Sequence, residues 1–158
     1  MRKVTSMNTV QLFLAHAIEL EREAARRYEE LTAAMQTAGN AEVERFFRKM
    51  AEFSRRHLRE AMQRGGFQDL PVLKADEWQW PDGCSPETAD WEGVDGMIDA
   101  PTALNLALAS ERRGYAYYKA LSASDQDPEV RRMAQEFADE ERDHVDQLEL
   151  WLTRLAPA

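Results

Sequence analysis

Residues 130–151 read VRRMAQEFADEERDHVDQLELW. Taken every third or fourth residue, the segment gives Val130, Ala134, Phe137, Glu141, His144, Leu148 and Trp151, and the rhythm continues to Leu155. Such spacing is the apolar seam of an amphipathic helix that packs against other helices. Two members of the seam are out of character. Glu141 and His144, three residues apart within EERDH, share a helix face with the core residues above and below them.

The same pattern recurs through the chain. One seam runs Val10, Leu14, Ala17, Glu21, Ala24, Tyr28, Leu31, Met35, and another Val43, Phe47, Met50, Ser54, His57, Ala61. A third runs Ala100, Leu104, Ala107, Glu111, Gly114, Tyr118, Leu121. Punctuation bounds these helices. The first is expected from about Asn8 to Thr37, before Gly39 and an N-capping Asn40, and the second from Ala41 to Arg64, before Gly65-Gly66. Asp99 with Pro101 opens the third helix, and Asp127-Pro128-Glu129 opens the fourth. Residues 67–98 hold most of the prolines and glycines without a sustained period, which makes them a long connection. The expected fold is all-α: one four-helix bundle domain over residues 1–158, two antiparallel helix pairs joined by a long crossover.

An internal repeat keeps these registers. Glu21-Arg22, Tyr28, Leu31 and Ala33 align with Glu111-Arg112, Tyr118, Leu121 and Ala123; Glu42-Val43, Arg45, Ala51, Arg55 and His57 align with Glu129-Val130, Arg132, Ala138, Arg142 and His144. Two related helix pairs facing each other about an approximate twofold axis would bring the polar interruptions of the seams to one level.

Composition narrows the functional classes. With 158 residues, 44% of them hydrophobic and 31% charged, the chain can bury one real core. A formal charge of −9 disfavours nucleic acid and anionic membranes, both of which need a basic footprint, and suits attraction of cations. The single cysteine, Cys84, cannot form an intrachain disulfide or a Cys-x-x-Cys site. The N-terminal segment is too polar for a signal peptide or a membrane span, so a cytoplasmic protein is expected.

An ionised carboxylate withdrawn from water costs several kcal/mol or more unless something compensates it. Glu21, Glu111 and Glu141 lie in core registers with no Lys or Arg at neighbouring seam positions. Protonation or buried water could relieve them, but a divalent cation does both jobs, since carboxylates and imidazoles are its ordinary ligands. Two of only three histidines, His57 and His144, fall at equivalent seam positions, which favours the cation. His16 lies beside the first seam, off its register, and has no role in this reading. Tyr28 and Tyr118, two turns beyond Glu21 and Glu111, fit packing as well as a hydrogen bond to a ligand.

Together EREAARRY (21–28), ERRGYAYY (111–118) and EERDH (140–144) resemble the ferritin-like superfamily, and its rubrerythrin-type branch most. The resemblance spans essentially the whole chain. It implies a bundle with a di-iron or di-manganese site, with Glu21 and Glu111 as single carboxylates, Glu141 and His144 as a complete Glu-x-x-His, and His57 as the second histidine. It further implies iron as the metal, with manganese or zinc as alternatives, and oxygen or hydrogen peroxide as co-substrate with an external electron donor. The chain departs from the family pattern at Ser54, where a ligand Glu belongs, three residues before His57. Three carboxylates and two neutral histidines leave two divalent ions with a formal excess of positive charge. Glu60, a turn beyond His57, points away around the helix and could help only by reaching back. One cysteine cannot supply the iron–sulfur domain of rubrerythrins proper, and Gly114 stands where an additional Glu is typical. The expectation is a stand-alone bundle, monomeric or a homodimer, that oxidises Fe(II). The rival is a non-catalytic iron-handling adaptor with an incomplete site. Trp78, Trp80 and Trp91 in the connection are expected to pin it to the bundle, and Cys84 reads as an incidental thiol.

Overall fold

The computed structural model describes residues 9–64, 73–74, 78, 80 and 98–155. Among them are four helices: α1 (Thr9–Ala38), α2 (Ala41–Arg64), α3 (Ala100–Ser124) and α4 (Pro128–Leu155). Their boundaries follow the local signals closely. Gly39 adopts φ 75°, a left-handed conformation that suits glycine, and closes α1 with bonds from Gly39 N to Gln36 O and from Asn40 N to Met35 O. Asn40 Oδ1 then accepts from Val43 N at 3.1 Å, and Asp99 Oδ1 accepts from Thr102 N at 2.9 Å, so each cap satisfies an amide that the helix cannot. Asp127 does the same for Glu129 N at 2.9 Å.

α1 packs along α2, and α3 along α4, as two antiparallel pairs. Two apolar clusters fill the bundle. One gathers Leu31, Met35, Phe47, Met50, Leu104 and Leu148 among others; the second gathers Leu14, Leu20, Ala61, Tyr118, Ala134 and Phe137. Each cluster takes a half from every helix, which places the mid-helix residues between them. α2 ends beside the second cluster and α3 begins beside the first, so these two helix ends lie at opposite ends of the bundle. The described residues of the connection agree, because Trp80 packs against the second cluster and Ile98 against the first.

His16 proves to be structural. It is buried, its Nδ1 lies 2.9 Å from Leu12 O, and its ring meets Trp78 and Trp80 edge-on, with centroids 4.9 and 4.6 Å away. The two indoles stack on each other, so this histidine anchors the connection, a role its off-seam register concealed. Trp91 and Cys84 lie outside the described residues. Leu155 departs from expectation: the seam of α4 frays out of the core at its last turn, where Leu155 is exposed. No described helix is long and apolar enough to cross a membrane.

Candidate metal centre

The mid-helix layer holds the polar residues that interrupt the seams. Glu21, Ser54, Glu111, Glu141 and His144 are all buried, with Ser54 and Glu111 each only 1% exposed. His57 is half-buried at the edge of the layer. α3 and α4 bring Glu111, Glu141 and His144 together so that one ligand atom from each lies within 4.8 Å of the others. His144 Nδ1 stands 3.4 Å from Glu111 Oε2 and 3.4 Å from Glu141 Oε2. It lies beside both carboxyl groups without completing a hydrogen bond, and Glu111 Oε1 is likewise buried with no hydrogen-bond partner. Orphaned buried groups of this kind cost roughly 1–3 kcal/mol each.

Several contacts orient this group. The Tyr28 hydroxyl donates to Glu111 Oε2 at 2.5 Å, which resolves its role in favour of the hydrogen bond. The His144 ring is nearly parallel to Phe53 and to His57, with centroids 6.0 and 5.5 Å away, so its imidazole plane is fixed. Tyr118 is fully buried and packs against Phe13, Phe137 and Tyr117. From α1, Glu21 reaches His57, with Oε1 3.8 Å from Nδ1. Glu21, His57, Glu111, Glu141 and His144 thus lie at one level of the bundle, while Tyr28 and Tyr118 belong to the apolar clusters on either side of it.

Two residues join them from outside the seams. His57 Nε2 lies 3.6 Å from Glu140 Oε1, and Glu60 completes a second group in which the ligand atoms are again within 4.8 Å of one another. Glu60 thus reaches back to His57 in spite of its angular offset. Glu140 was not singled out by its seam position; its spacing of four from His144 was the available signal. A cleft of about 340 Å³ opens here, lined by Phe53, His57, Glu140 and His144 among others.

Electrostatics divide the two single carboxylates. Burial, then the negative charge of Glu111, pushes Glu21 up to about 8. Burial also acts against ionised Glu111, but the neighbouring His144, then Glu141 and the Tyr28 hydroxyl, outweigh it and hold this carboxyl down at about 2. Burial disfavours charged His144 too, yet Glu111 raises it above its ordinary value. Burial, followed by His144, lowers His57 to about 4, while burial and then Glu60 raise Glu140 to about 7.

These shifts carry a sign for the metal-free protein. Between 4.5 and about 8 the folded chain keeps a proton on Glu21 that the unfolded chain releases, so this residue makes stability fall as pH rises through that window. Glu140 acts in the same direction up to about 7, whereas His57 makes stability rise between about 4 and 6.5. Replacing Glu21 by Gln isolates its share. In denaturant melts across the window, the variant is expected to gain stability relative to the parent as pH rises; parallel curves would contradict the assignment.

The donor set fits a divalent cation. Ligands about 2.1 Å from a common ion lie no more than about 4.2 Å apart, so the 3.4 Å separations at His144 are compatible with one, and the orphaned Glu111 Oε1 needs such a partner. The arrangement is that of a ferritin-like bundle with a carboxylate–histidine centre. The rubrerythrin family profile matches residues 13–66. Among solved structures, an uncharacterized conserved protein from Magnetospirillum magnetotacticum MS-1 is 39% identical, with 96% of this chain and 98% of that one covered and a TM-score of 0.77. No curated protein matches. The chain belongs to one family with that conserved protein, and residues 13–66 carry the rubrerythrin match that joins it to the ferritin-like superfamily.

Proposed function

We propose that this protein binds iron at the buried layer and oxidises Fe(II), with oxygen or hydrogen peroxide as the electron acceptor. The observation that carries the reading is the convergence of Glu111, Glu141 and His144, fully buried, with Glu111 Oε1 and His144 Nδ1 left without hydrogen bonds. Glu111, Glu141 and His144 hold the cation, and Glu21 and His57 face it across the layer. Fe(II) is the substrate: each ion yields one electron, so two Fe(II) with two protons convert hydrogen peroxide to two waters, and four Fe(II) with four protons convert oxygen to two waters. The anionic carboxylates favour the more highly charged product. Tyr28 holds Glu111 by its hydroxyl, and the Phe53–His144–His57 stack keeps the imidazoles in place. Turnover beyond the bound iron draws on an external electron donor.

A second reading rests on Ser54, which places an uncharged side chain in the buried layer where a ligand carboxylate is expected. On that reading the protein holds iron, zinc or manganese as a carrier or adaptor without fast oxygen chemistry. The metal-free protein, loaded anaerobically with Fe(II) and then given oxygen or peroxide, separates the two. Loss of Fe(II), followed with a ferrous-specific chelator, faster than in protein-free buffer supports the oxidase. Firm retention of Fe(II) without that acceleration supports the carrier, and failure to bind any divalent ion contradicts both.

A further inference from the structure

The layer is asymmetric in a way the internal repeat makes visible. Ser54 is the repeat mate of Glu141, and Phe53 is the mate of Glu140. On α2, Phe53 lays its ring on His144; at the equivalent place on α4, Glu140 brings its carboxylate to His57 Nε2, 3.6 Å away. The carboxylate missing one position along α2 therefore has a counterpart arriving from the opposite helix. His57 stands between two acidic neighbours, Nδ1 toward buried Glu21 and Nε2 toward Glu140 at the cleft. Glu60, three residues on from His57, supplies a second carboxylate on the same outer side.

We propose that His57, Glu60 and Glu140 form a second, outward-facing subsite for a divalent cation, standing in for the ligand that Ser54 does not provide. This rests on the metal-binding reading of the buried layer. His57 Nε2 and Glu140 Oε1, 3.6 Å apart, already stand at a spacing one ion can bridge, and Glu60 offers an oxygen within 4.8 Å that a small side-chain turn brings in, a donor set that suits Fe(II), Mn(II) or Zn(II). The two additional carboxylates remove the charge deficit: Glu21, Glu111, Glu141, Glu60 and Glu140 oppose two divalent ions, where the buried residues alone offer three. Glu60 is exposed and His57 and Glu140 are half-buried, so the outer ion exchanges with solvent through the cleft, while the inner donors are all buried. The two subsites are accordingly unequal, one tight and one weaker.

Calorimetric titration of the full, metal-free chain with Zn(II) tests this without any turnover. The parent is expected to take up two equivalents in two phases. Glu60→Gln with Glu140→Gln removes the outer charges at positions where folding is not at stake, and is expected to lose the weaker equivalent while the tighter one keeps its affinity within about threefold. Two equivalents of unchanged affinity in the double variant would overturn the outer subsite and leave the buried one standing. A single equivalent in both proteins would do the same. No uptake by the parent would overturn the buried site and the outer one together.

Discussion

Saturating the metal-free protein with Zn(II), Mn(II) or anaerobic Fe(II) is expected to raise its melting temperature by roughly 8–16 °C, and a chelator is expected to reverse the gain. The magnitude follows from mass action. An ion at about a thousand times its dissociation constant, binding only the folded chain, adds about 4 kcal/mol, and each kcal/mol is worth roughly 2–4 °C in a domain of this size. The cause lies in the layer itself. Glu21, Glu111 and Glu141 are buried, imidazoles neighbour Glu21 and Glu111, and Glu111 Oε1 lacks even a hydrogen bond. An ion turns that liability into attraction, whereas the unfolded chain has no assembled site. Thermal melts followed by circular dichroism, with and without ion, read the shift directly. A melting temperature indifferent to every divalent ion would contradict the assignment of this layer to metal.

Replacing His144 by Gln, or Glu141 by Gln, is expected to weaken the tighter binding event by at least on the order of 100-fold and to suppress iron oxidation with it. Removing residues that merely support a ligand already costs about 10–100-fold in affinity, so losing a ligand itself costs more. Gln preserves approximate volume in both places, which matters for His144 because it lies against Phe53 and His57. An alanine there would confound lost coordination with a cavity. The contrast with Glu60 and Glu140 is informative: changes at the inner residues abolish the tight phase, and changes at the outer ones spare it. Parent-like tight binding in both Gln variants would remove Glu141 and His144 from the ligand set.

The bundle and the inner group were legible because a charge in an apolar register is conspicuous. Glu21, Glu111, Glu141 and His144 each occupy a seam position whose neighbours are core residues, and helical geometry then leaves them nowhere to point but inward. The caps at Asn40, Asp99 and Asp127 were equally plain, since each works through an amide two or three residues away. The outer group was harder to read for a definite reason. A helical wheel gives the direction of Cα–Cβ, not the reach of a glutamate with two further rotatable bonds, so Glu60 points away on the wheel and Glu140, off the seam, carries no signal there. His16 was passed over because its partners, Trp78 and Trp80, lie more than sixty residues downstream, and no local period records a contact of that kind.

The inner donors Glu111, Glu141 and His144 all belong to the α3–α4 hairpin, whereas the outer trio draws His57 and Glu60 from α2 and Glu140 from α4. The first set is assembled by one short turn, at little loop-closure cost; the second exists only once the two hairpins have docked. A cation captured early by the C-terminal hairpin would give the N-terminal one a charged template to close upon, and an ion arriving at the outer trio would fasten the halves after they meet. Assembly and loading would then proceed in the same order, from one hairpin outward to the seam between two.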